Sequence, residues 1–126
     1  NITALHSAVW KNNAHLEIKD KGYGLRGFVV EEVPAPTPES FTASCIEDLI
    51  GNHPTIDILK IDIEGSEKFL FEENYENWLP KVKCLIIELH DEMIEGCSTA
   101  VFNAMEKYNF TSYKKEENWI FVQLTK

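Results

Sequence analysis

The apolar residues of this chain fall into short runs separated by breaks rich in glycine, proline and asparagine. Two runs in the middle are the densest. Asp57 to Ile63 alternates apolar with charged residues, and Cys84 to Ile87 is continuously apolar. Both read as strands, Asp57 to Ile63 and Lys83 to His90, the second of the kind covered on both faces in a parallel sheet. Between them Gly65-Ser66 opens a helix expected to reach about Trp78, with Ser66 as its N-cap and Pro80 as its stop. After the second strand, Ser98 to Tyr108 places Val101, Phe102, Met105 and Tyr108 on one helical face. Phe110 to Lys115 and Asn118 to Leu124 read as a closing antiparallel pair.

Upstream the pattern is weaker. Ala4 to Trp10 reads as a strand running into a loop, and Leu16-Glu17-Ile18 begins a small hairpin. Lys19 to Gly27 carries Gly22, Gly24 and Gly27 and reads as loop. Phe28-Val29-Val30 is a short strand. Pro34, Pro36 and Pro38 make a stiff connector. Ser44 to Ile50 is a short helix with Ile46, Leu49 and Ile50 at helical spacing. Alternation of strand and helix, closed by a strand pair, predicts an α/β fold in one domain spanning 1–126. Ligands of such folds bind outside the carboxyl ends of the parallel strands.

Both central strands end in polar residues, Asp62-Ile63-Glu64-Gly65 and Glu88-Leu89-His90-Asp91. Strand phase puts Lys60, Asp62 and Glu64 on one face, and Glu88 with His90 on one face of the neighbouring strand. A strand-helix-strand unit brings the two strands together in parallel. The expectation is a single ionisable cluster at the mouth of the sheet, with Lys60 compensating the carboxylates. Crowding such groups is costly unless they pair or serve a ligand. Salt bridges at a solvated edge would account for them as well. Gly65 reads equally as a simple turn or as a point of close backbone approach to a ligand.

Composition narrows the function classes. The chain has 126 residues, 44% hydrophobic and 26% charged, which suits one soluble globular core. Its net charge of -9 repels phosphate backbones, so no nucleic-acid partner is expected. No apolar run approaches the roughly 20 residues of a membrane span. Cys45, Cys84 and Cys97 have no CxxC spacing, which argues against a zinc site and a disulfide framework. Cys84 reads as a buried free thiol, and a reducing, cytoplasmic location fits best.

The segment Asp57-Ile58-Leu59-Lys60-Ile61-Asp62-Ile63-Glu64-Gly65-Ser66-Glu67 resembles the central motif of the FkbM family of S-adenosylmethionine (SAM)-dependent methyltransferases. Ile86-Ile87-Glu88-Leu89-His90 resembles that family's next strand. Thr42 to Ile50 resembles the segment leading into the first motif, and the likeness spans roughly 42–124. It implies a Rossmann-like class I sheet of order 3-2-1-4-5-7-6, with the Asp57 run as strand 4, the Cys84 run as strand 5, and the closing pair as strands 6 and 7. Leu5 to Trp10 would end strand 3, with Ser7, Ala8 and Val9 near the adenine. Asp62 and Gly65 would also border the cofactor. The family's glycine-rich loop and its ribose-gripping acid have no counterpart in 1–126. The stretch Gly22 to Gly27 has no strand expected before it. The resemblance therefore implies the C-terminal half of a catalytic domain, strands 1 and 2 missing, with strand 4 left as an open edge and the half inactive alone.

The implied reaction is methyl transfer from SAM to an oxygen, or less readily a nitrogen, of a small-molecule or sugar acceptor. Asp62 and Glu64 stand where methyl and acceptor meet, while Glu88 or His90 orients the acceptor or takes its proton. No metal is needed for this. A rival reading is a hydrolase holding magnesium or manganese on Asp62, Glu64, Glu88 and His90; another is a non-catalytic binding module of the same fold. A homo-oligomer would be one way to supply the missing strands.

Overall fold

A computed structural model of the chain describes residues 1–20, 22 and 28–125. Two four-stranded sheets organise it. The first contains β1 (Ala8–Val9), β2 (Ala14–Asp20), β3 (Phe28–Val33) and β4 (Phe41–Ser44), in the order β1-β4-β2-β3. The strands β2 and β3 form an antiparallel hairpin whose register runs from His15 opposite Val33 to Asp20 opposite Phe28. On its other edge β2 takes β4 antiparallel, and β4 takes β1 parallel. The strand expected from Ala4 onward shrinks to Ala8–Val9, since only those residues find a ladder partner. Most of Lys19 to Gly27 lies outside the described residues. One expectation there is corrected: β2 ends two residues before Gly22, so a strand does precede the glycine-rich stretch. A strand rather than a helix follows it, which makes the unit a hairpin and not a strand-helix phosphate loop.

The second sheet carries the main core. It is entered through α1 (Ile46–Ile50) and built from β5 (Ile56–Ile61), α2 (Glu67–Glu72), β6 (Val82–Glu88), α3 (Cys97–Met105), β7 (Phe110–Lys115) and β8 (Asn118–Gln123). Its order is β5-β6-β8-β7. The pair β5–β6 is parallel, in register from Ile56–Val82 to Ile61–Ile87, and β8 runs antiparallel to both β6 and β7. The α/β class read from the sequence is what the structure has. Leu85 and Ile87 of β6 are fully buried, whereas Cys84 and Ile86 on the opposite face are only half-buried. The second face is covered only in part, and the expectation of a buried Cys84 is corrected accordingly.

The helix after β5 is shorter than its hydrophobic pattern suggests. Glu73 is extended (φ -140, ψ 147) and Asn74 left-handed (φ 64), which breaks the helix at Glu72. Two 3₁₀ turns, Tyr75–Asn77 and Leu79–Lys81, then carry the chain to β6. Pro80 lies inside the second turn, not at a helix end. Ser66 makes no side-chain capping bond and already has helical backbone angles. The carboxylate of Glu67 instead ties down the turn that precedes the helix, as described below.

Leu70, Phe71, Trp78, Leu79, Val82, Val101 and Phe121 pack with Leu85 and Ile87 into the principal core. Full burial of such side chains stabilises by about 1.5–3 kcal/mol each before entropy is counted. A smaller cluster of Trp10, Leu16 and Ala43 lies under the first sheet. Trp10 joins the two sheets: its ring meets Phe69 of α2 at a centroid distance of 5.1 Å. Among the described residues no helix is long and apolar enough to cross a membrane.

Candidate functional site

The strand β5 stops at Ile61, so Asp62 and Glu64 stand beyond it, in the turn leading to α2. Their placement comes from that turn and not, as strand phase suggests, from the pleat. Glu64 adopts φ 53 and Gly65 φ 104. Two successive left-handed residues reverse the chain and leave both carboxylates pointing out at the sheet mouth. Gly65 is required sterically: a Cβ there would sit 3.0 Å from Ile94 Cγ1 and 3.3 Å from Met93 Cβ. The demand comes from the loop after β6 pressing on this turn.

Glu67 holds the turn together. It has no exposed surface. Its Oε1 accepts from the Ile63 N–H at 3.1 Å, and its Oε2 from the Gly65 N–H at 2.9 Å. Its Oε1 also lies 2.9 Å from His90 Nδ1. An ionised carboxylate only accepts, so Nδ1–H donates, and Nε2 is left facing outward. Sequence reasoning gave Glu67 no role. The available signal was an acid two residues after an obligatory glycine, at a position the helix pattern marks as inward-facing.

His90 lies two residues past the end of β6 and is 5% exposed. Its Nε2 is 3.4 Å from Glu88 Oε1, 3.7 Å from Asp62 Oδ1 and 3.7 Å from Glu64 Oε2. The structure thus brings together Asp62, Glu64, Glu88 and His90. Lys60 is exposed, and among the described ion pairs none links it to these carboxylates. Burial pushes the His90 imidazole down, but the Glu67 hydrogen bond and the charges of Glu67, Glu64 and Glu88 outweigh it. The net result is an imidazole held above its ordinary value. The loop beyond His90 is tied back: Asp91 accepts from the Ser98 N–H at 3.0 Å at the start of α3. Cys97 donates its thiol to the Gly65 carbonyl at 3.2 Å.

An open groove of about 480 Å³ runs along β5 beside this cluster. Its lining includes Val9, Ile46, Leu59, Ile61 and Asp62. That volume suits a small organic ligand. A second hollow links Ser7, Ala8 and Val9 to Ile63 and Ser66. Ser7 is fixed there by a 2.8 Å hydrogen bond to the Ser44 hydroxyl. The Ser7–Val9 segment therefore adjoins the same turn as Asp62 and Gly65. A carboxylate–imidazole group beside an apolar groove can orient a hydroxyl, accept its proton, or hold a cation.

Residues 31–112 match the family described as Methyltransferase FkbM domain. No curated protein and no solved structure matches the chain.

Proposed function

Since this chain belongs to the FkbM methyltransferase domain family, we propose that it forms the C-terminal part of an enzyme transferring a methyl group from S-adenosylmethionine to an oxygen of a small molecule or sugar. The observation that carries this reading is the meeting of Asp62, Glu64, Glu88 and His90 beside the β5 groove. Methyl transfer needs the acceptor aligned with the sulfonium methyl and, for a hydroxyl, a group to take its proton. Asp62 and Glu64 border the point where methyl and acceptor meet. Glu88 and His90 orient the acceptor, and either can receive the proton. Ser7, Ala8 and Val9 contact the adenine end of the cofactor, while Asp62 and Gly65 line its approach to the acceptor. The family favours methyl transfer over hydrolysis and over a non-catalytic module.

The sheet order β5-β6-β8-β7 supports reading these strands as strands 4-5-7-6 of a Rossmann-like sheet. Along its outer side β5 pairs with no described strand. That edge supports the view that 1–126 is half of a catalytic domain, with further strands docking there from the same chain or from a second copy. The free cysteines suit a reducing, cytoplasmic setting. Calorimetric titration of residues 1–126 with SAM should show weak or undetectable binding; micromolar affinity would overturn the half-domain reading. In the enzyme containing this chain, Asp62→Asn should cut turnover at least about 100-fold without lowering the melting temperature. A parallel fall in stability would make Asp62 structural.

A further inference from the structure

We propose that Asp62, Glu64 and His90, with Glu88 at the rim, form a binding site for one divalent cation of the Mn²⁺ type. The starting point is the histidine. Glu67 fixes Nδ1 as the protonated nitrogen, and Glu67 is itself fixed by the Ile63 and Gly65 amides. A buried carboxylate behind a histidine in this way orients metal-binding imidazoles and raises their basicity. The outward Nε2 belongs to a ring only 5% exposed and makes no hydrogen bond among the described residues. In this tautomer its lone pair faces the oxygens of Glu88, Asp62 and Glu64 at 3.4 to 3.7 Å. Lone pair against carboxylate is repulsive until a proton or a metal cation stands between them.

The spacing fits such an ion. One donor atom each from Asp62, Glu64 and His90 lie within 4.8 Å of one another. Ligands held about 2.1–2.3 Å from a common centre are separated by roughly 3.0–4.6 Å. One imidazole with carboxylates suits Mn²⁺ better than Ca²⁺, which takes oxygen ligands alone. Asp62 and Glu64 are exposed, so the outer coordination positions stay open to water or to an acceptor hydroxyl. The cation would occupy the same residues as the proposed methyl transfer, but its binding does not require that reaction.

The test is therefore run without cosubstrate. Mn²⁺ is titrated into residues 1–126 at neutral pH and the free ion is followed by electron paramagnetic resonance. The expected result is saturable binding of about one ion per chain. Paramagnetic broadening of the His90 ring and Gly65 amide resonances should appear at substoichiometric Mn²⁺. Asp62→Asn and Glu64→Gln, both exposed positions, should each weaken binding at least tenfold, while Glu106→Gln at the far end of α3 should not. Absence of saturable binding, broadening located elsewhere, or affinity unchanged in both cluster variants would overturn the site. Failure of the site would leave the methyl-transfer reading intact, whereas a cation on Nε2 would take the proton-accepting role from His90 and leave it to Glu88.

Discussion

Glu67 is a carboxylate with no exposed surface whose neighbours are two backbone amides, an imidazole and a thiol. Buried charges persist only when several donors satisfy them. Replacing one oxygen with an amide group turns an acceptor into a donor facing donors. Glu67→Gln should therefore lower stability by about 1–3 kcal/mol, measured by urea unfolding; an unchanged midpoint would mean that the bonds are not formed. His90 gives a pH signature in the cation-free chain. Its folded pKa is raised, so its contribution is fully present below the ordinary imidazole value of about 6.5. That contribution is lost as pH rises through the higher folded value, because the folded state there binds more protons than the unfolded one. Melting temperatures between pH 5.5 and 8.5 should show this fall in the parent chain, and His90→Gln should remove that component. Identical profiles would show His90 to be uncoupled from its carboxylates.

At the scale of elements, the turn between β5 and α2 is tightly constrained. Gly65 combines φ 104 with a loop packed against the missing Cβ. Gly65→Ala should cost about 2 kcal/mol or more, from left-handed strain and the clash with Ile94 together, and a calorimetric melting point equal to the parent's would contradict this. The same turn shows where sequence reading works. The two central strands, α3 and the closing pair were legible because apolar periodicity reports burial directly. The gathering of Asp62, Glu64, Glu88 and His90 was legible as well, through parallel pairing of β5 and β6. What periodicity missed depends on backbone conformations it does not encode. The extended Glu73 and left-handed Asn74 ended α2 early. The left-handed Glu64, not strand phase, aimed its carboxylate. Glu67 was missed because two of its partners are backbone amides, which no residue pattern names, and only its place after Gly65 at an inward-facing helix position could have marked it.

Across the whole molecule, β5, whose outer side pairs with no described strand, carries the exposed Ile58, 66% accessible. Such an edge pairs with other strands when nothing covers it. Residues 1–126 should associate at high concentration, and Ile58→Lys should shift sedimentation toward monomer; monomeric behaviour of both proteins would show the edge to be self-protected. The site also carries its own reporter. The Cys97 thiol is fully buried, and burial pushes its pKa up to about 11. Closed, it is neither accessible nor ionised near neutral pH, while the half-buried Cys84 is the first of the three cysteines that an alkylating probe should reach. Modification of Cys97 then requires its bond to the Gly65 carbonyl to open. Its labelling rate under native conditions should equal the opening probability multiplied by the rate of an unprotected thiol. That rate makes one sulfur atom a clock for how often the carboxylate–histidine mouth breathes.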